Sequence, residues 1–283
     1  MVKLAAQIEG IGLLGPGLDG WTNSVALLEG RSPYIRQPTV VPIPDGLPPA
    51  ERRRLGLVVK LALGVGLQAT AKAGVEPEAL PAVFASSGGD GQNCHEICQS
   101  LSHDERTISP TRFHNSVHNA AAGYWSIATR STAASNALCA FDVSFGAGLL
   151  EAVTQVAVDQ TRVLLVAYDA QYPPPLFMKR PIPEAFGVAF VLAPVAAAQH
   201  IQAGSGGPTE SHSGGSSLGR LTVRLADSPP DRMSNTDLEA LRTSIPAARS
   251  LPLLYQLAVR KPGIVNIEYL DGRSLAVEID PCA

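Results

Sequence analysis

The stretch from Val143 to Tyr168 does most to limit what this chain can fold into. Val143, Phe145, Ala147, Leu149, Leu150, Ala152, Val153, Val156 and Ala157 make a helix that is apolar around most of its circumference, which argues for a central position. The run Val163 to Tyr168, VLLVAY, is continuously apolar, the pattern of a strand covered on both faces. An α/β fold is the expectation. Before the helix, the chain passes from a short extended segment into a sharp corner at Ala140-Phe141-Asp142. Units of this kind commonly present a nucleophile at the helix N-terminus, where unpaired N–H groups and the dipole favour a thiolate or oxyanion. Here the corner carries Asp142, a residue type that favours helix N-caps.

With 283 residues, the chain can bury a large core in one or two domains. A net charge of −3, with 17% charged residues, gives no basic excess for nucleic acid. The opening MVKLAAQIEGIG has too short an apolar run for a signal peptide, and no eighteen uncharged apolar residues occur together, so no membrane span is expected. Cys94, Cys98, Cys139 and Cys282 are too few for a disulfide framework in a chain this long, which fits a reducing cytoplasm.

Residues 4–12 read as a first strand ending in glycines. Gly10, Gly12 and Gly15 match G-x-G-x-x-G, but Pro16, Gly17 and Gly20 prolong the loop, so a tight glycine turn is expected rather than a dinucleotide site. Residues 21–29 form a short helix, 38–49 a proline-rich loop, and 51–74 one long helix closed by Gly74. Residues 81–91 form a buried strand that breaks into a Ser/Gly loop. Cys94, His95, Cys98 and His103 invite a metal reading, yet their spacing matches no zinc pattern; a helix with a partly buried cysteine face is expected. SPTRFHNSVHN (109–119) is either a pocket wall or interface, or a loop satisfying its own backbone. A proline-rich excursion (169–183) and a buried strand (186–194) follow the central strand. Residues 195–218, rich in Gly, Ser and Ala, read as a linker or surface loop between the first unit, 1–194, and a shorter one, 219–283. That last segment offers a strand, one or two helices interrupted at Pro246 and Pro252, and a hairpin turning at Asp271-Gly272.

Gly10, Gly12, Trp21, Leu27, Leu28, Gly30, Arg31 and Ser32, then Asn119 with Gly123, then Arg180-Pro181, together resemble the first half of a β-ketoacyl synthase over residues 1–194. The resemblance implies a thiolase-like layered fold with a reduced second half. Counting without gaps forward from Asn119 and Gly123, or back from Val163, puts the ketosynthase cysteine position on Asp142. A carboxylate there cannot carry thioester exchange, because its attack would yield a mixed anhydride, less stable than the thioester. The two catalytic histidine motifs are also missing: His200 and His212 lie in the linker-like stretch.

These departures resemble the chain length factor, the inactive partner of a ketosynthase. FASSGGDG, SPTRFHNSVHNAAAGYWSIAT and AFDVSFGAGLLEA are more narrowly similar to the short chain-length-factor-like proteins of bacterial aryl polyene pathways. The resemblance implies a cytoplasmic heterodimer with a catalytic ketosynthase and an acyl carrier protein reached through that partner; from the motif spacings above, no cofactor or metal is expected. Phe113, Asn119, Tyr124, Phe141 and Phe145 are its candidates for the acyl tunnel or interface, though plain core is the commoner fate of such aromatics. The alternative is a small active ketosynthase or acyltransferase using Cys139 as nucleophile, with His114 or His118 as base.

Overall fold

In chain order the strands are β1 (Leu4–Gly15), β2 (Leu18–Asp19), β3 (Ala82–Ala85), β4 (Ser135–Leu138), β5 (Val163–Asp169), β6 (Phe186–Ala193), β7 (Gly219–Ala226), β8 (Gly263–Leu270) and β9 (Arg273–Pro281). The helices are α1 (Trp21–Leu28), α2 (Pro49–Arg54), α3 (Leu57–Ala73), α4 (Gly91–Ser102), α5 (Pro110–His114), α6 (Ala120–Thr129), α7 (Ser144–Asp159), α8 (Leu176–Lys179), α9 (Thr236–Ser244) and α10 (Leu251–Val259). The computed structural model describes residues 3–174, 176–195, 217–270 and 272–282.

β5 is buried at every position. It pairs in parallel with β3 on one side and antiparallel with β6 on the other. Among the described residues one mixed sheet runs β4-β3-β5-β6-β1-β7-β9-β8, with β2 hydrogen-bonded to β1. Strand alternation sets the layers. Val163, Leu165 and Ala167 of β5 face a core shared with α7, α9 and α10. Leu164, Val166 and Tyr168 face the opposite core, built with α3 and α6. The C-terminal segment therefore adds three strands to the same sheet, β7 joining it through β1.

Gly10 and Gly12 lie within β1 and not in a turn. A Cβ on Gly12 would stand 1.9 Å from the Val65 carbonyl oxygen, and one on Gly10 2.2 Å from that of Ala69. The two glycines thus allow α3 to lie directly against the strand, which is why the G-x-G-x-x-G spacing occurs without a phosphate loop. Gly12→Ala is expected to destabilise the fold by about 2–3 kcal/mol, since backbone must shift to admit the methyl; a chemical melt unchanged from wild type would contradict this packing.

The helix expected over 51–74 is two helices. The chain extends at Leu55-Gly56, where Leu55 turns into the core and a Cβ on Gly56 would meet the Asp90 carboxylate at 2.1 Å. Gly74 does close α3 in the left-handed region, φ 65°. Pro252 occupies the first turn of α10, a position where its missing N–H costs nothing, and so does not interrupt that helix. The linker expected over 195–218 lies almost wholly outside the described residues, as does Asp271; Gly272, with φ 73°, stands between β8 and β9. The stretch Phe141–Asp159 has the length and hydropathy of a membrane span. Its helix α7 packs on β1, β3 and β5, the situation of a core helix.

Candidate functional site

The sheet's parallel strands β3 and β5 end together, and the corner before α7 lies beside them. Phe141 holds φ 53°, unusual for an aromatic residue, within a single 3₁₀ turn, Phe141–Val143. The Ser144 hydroxyl closes the corner: it accepts from the Ala140 N–H at 3.0 Å and donates to the Phe141 carbonyl at 2.7 Å. Ser144 is buried.

Asp142 does not cap α7; Val143 occupies the N-cap position. Its carboxylate is held by two arginines instead. Arg180 Nη2 donates to Oδ1 at 2.6 Å, and Arg249 Nη2 lies 3.4 Å from Oδ2. The Arg180 guanidinium also stacks over the Phe141 ring, 3.8 Å from its centroid. Arg180 belongs to the Arg-Pro pair singled out in the sequence; Arg249 comes from the C-terminal segment, and no local pattern announces it.

A second polar cluster lies beneath the corner. Asp169, the last residue of β5, is 3% exposed. Its Oδ1 accepts from the Ser87 N–H at 2.9 Å and the Ser87 hydroxyl at 2.6 Å, and its Oδ2 accepts from the Ala247 N–H at 2.9 Å. Burial pushes its carboxyl up to about 6, opposed by these donors and by Arg180. The sequence reading missed Asp169; its signal is a lone acid ending a wholly apolar strand.

Cys139 and His118 both come to the Ser86-Ser87 segment. The Cys139 thiol donates to the Ser87 carbonyl at 3.2 Å, and His118 Nε2 lies 3.2 Å from the Ser86 carbonyl. His114 lies apart, edge-on to Tyr124 with ring centroids 6.3 Å apart. Of the remaining candidates, Phe145 is fully buried and packs on Phe190, which makes it a core residue. Tyr124 is buried too and donates its hydroxyl to Asn115 Oδ1 at 3.0 Å. Asn119 stands at the N-cap of α6 without a side-chain capping bond. Phe113 is exposed and lines a groove of about 470 Å³ with Val117, Asn119, Gly123 and Ile127. Cys94 and Cys98 are exposed one turn apart on α4, and no group of three His, Cys, Asp or Glu side chains is placed to hold a metal among the described residues.

The profile of the family described as β-ketoacyl synthase, N-terminal domain, matches residues 30–223. No curated protein matches in sequence. Among solved structures, the chain is similar to the ketosynthase (ApeO) in complex with its chain length factor (ApeC) from Xenorhabdus doucetiae, at TM-score 0.68 and 20% identity over 97% of this chain and 99% of that one. It is similar to the ishigamide ketosynthase/chain length factor at TM-score 0.70 and 12% identity, over 99% of this chain and all of that one. A third likeness, TM-score 0.74 with 12% identity over 99% of this chain and all of the other, is to AntDE:AntF, a type II PKS acyl-carrier protein in complex with its ketosynthase. At these identities the likeness is one of fold.

Proposed function

This chain belongs to the β-ketoacyl synthase family through its N-terminal domain, and on that premise we propose that it is a non-catalytic, chain-length-factor-type subunit. Its fold is the thiolase-like fold of ketosynthases. It pairs with a catalytic ketosynthase, leaves the acyl carrier protein and the condensation chemistry to that partner, and bounds the growing acyl chain from across the interface. A cytoplasmic setting and aryl-polyene-type products go with this reading through the sequence motifs.

The observation that carries it is the corner. The position expected to attack a thioester carries Asp142, with Phe141 beside it, and the Asp142 carboxylate is already held by Arg180 and Arg249. A phenyl ring has no nucleophile. A carboxylate bound by two guanidinium groups has its charge neutralised, and the anhydride it would form lies uphill of the thioester. The groove beside α5 and α6, with Phe113, Val117 and Ile127 exposed, and the free edge of β4 among the described residues support an obligate partner.

One observation favours the alternative. His118 and Cys139 reach adjacent carbonyls and so share one loop. Yet the thiol donates to the Ser87 carbonyl and the His118 ring meets the Ser86 carbonyl, so each is engaged by backbone and not by the other. Treatment with a short acyl thioester, followed by intact-mass measurement and peptide mapping, separates the readings. The expected result is no adduct on this chain and labelling of a co-expressed ketosynthase; a stoichiometric adduct on Cys139 would replace this proposal with the enzyme reading.

A further inference from the structure

We infer that Arg249, supplied by the C-terminal segment, is a positioning residue that clamps the Phe141-Asp142 corner; the functional half of this inference rests on the chain-length-factor reading, and its structural half stands without it. A left-handed aromatic residue persists only where its surroundings over-determine it. At this corner the local chain supplies the Ser144 hydroxyl and the Val143 N–H on the Ala140 carbonyl; the charged contacts come from distant arginines.

Those arginines belong to a chain of alternating charge. Arg180 binds Asp142, and Asp142 binds Arg249. Arg249 pairs in turn with Glu268 on β8, and Glu268 lies 3.8 Å from Arg242 on α9. Arg242 closes the chain with a two-pronged fork on Glu239, both hydrogen bonds 2.7 Å long. Three cations and three anions alternate, so no member lacks a partner of opposite sign. All six side chains are at most 38% exposed, Asp142 being the most open. The 3₁₀ turn Pro246–Ser250 that carries Arg249 is fixed independently, by the Ala247 N–H on Asp169. It therefore delivers the guanidinium to Asp142 from a rigid base.

The clamp determines where Phe141 points. Asp142 and Phe141 are adjacent, and Arg180 grips both, the carboxylate by a hydrogen bond and the ring by stacking. Without Arg249, Asp142 has Arg180 alone, and Glu268 is left with its long contact to Arg242. The ring of Phe141, 62% exposed, is the largest side chain presented at the corner. In a subunit that bounds an acyl chain, its pose sets a limit on product length. Arg249 acts on that pose through Asp142.

Hydrogen exchange read by mass spectrometry on the purified chain tests the clamp at the Ala140 and Val143 amides, which donate to Ser144 Oγ and the Ala140 carbonyl. In Arg249→Ala both should exchange faster by up to roughly fivefold, the scale of losing one partly exposed ion pair, while β5 stays protected. Arg249→Lys should recover part of the protection, because it keeps the charge and loses the fork. Asp142→Asn, which keeps the shape, should reproduce the alanine effect without threatening the fold. Unchanged exchange at the corner, or a rise spread evenly through β5, overturns the clamp. With a co-expressed ketosynthase, Arg249→Ala should shift the product length at unchanged heterodimer yield. A loosened corner with an unchanged product profile overturns the functional half. Active condensation by the isolated wild-type chain would instead overturn the underlying reading and leave the exchange result to judge the clamp.

Discussion

Near pH 4, Asp169→Ala is expected to lower the unfolding free energy by about 3–5 kcal/mol, the range for breaking a buried hydrogen-bond network. The substitution leaves the Ser87 and Ala247 N–H groups without an acceptor, along with the Ser87 hydroxyl. Ala247 is in the C-terminal segment, so the same loss loosens the joint between that segment and the end of β5. Asn cannot rescue it, because its amide would set a donor against one of the two backbone donors. The pH dependence identifies the cause. The folded-state pKa of Asp169 is raised from the ordinary 3.8 to about 6. Its contribution is therefore full below pH 3.8 and is lost as pH rises through 6, on the order of 3 kcal/mol in all. Melts of the wild type between pH 4 and 6.5 should contain this falling component, and melts of Asp169→Ala should lack it. Parallel curves for the two proteins would show that another group titrates.

What the sequence made legible follows from how far apart the interacting groups lie. The apolar helix at 144–159 and the strand VLLVAY declare themselves because periodicity is local, and both are where the pattern put them. Gly74 was legible for the same reason. Gly10 and Gly12 were misread as a turn because their requirement is set by α3, some fifty residues on, rather than by their neighbours. Asp142 was expected to serve its own helix. It serves Arg180 and Arg249 instead, and local capping preference yields to a charge pair that only the tertiary fold assembles. Asp169 and Ala247 are 78 residues apart, and the partner in that bond is a backbone N–H, which leaves no trace in residue type. The left-handed φ of Phe141 had no signal at all, since the residue types that favour it are glycine and asparagine. The site was thus legible as a position and illegible as a set of contacts.

Placing aspartate at Ile127 or Phe113 is expected to weaken association with a catalytic ketosynthase by roughly a hundredfold or more, the scale of losing an interface hot spot. Ile127 is 49% exposed and Phe113 68%, with Val117 at 53% beside them, so the isolated chain exposes apolar side chains around the groove between α5 and α6. Such a surface is costly to leave in water and favourable to cover. The adjacent strand β4 has no partner on its outer side among the described residues, and its short length is the usual protection of an edge waiting to be covered. A carboxylate introduced there must be desolvated on pairing and finds no cation promised to it, whereas in the free chain it remains in water. The melting temperature of each isolated variant should therefore stay at the wild-type value while the co-purified ketosynthase is lost. Retention of the partner by both variants would move the interface elsewhere on the molecule. A drop in the melting temperature of the isolated chain would show that these side chains support the monomer and not the pairing.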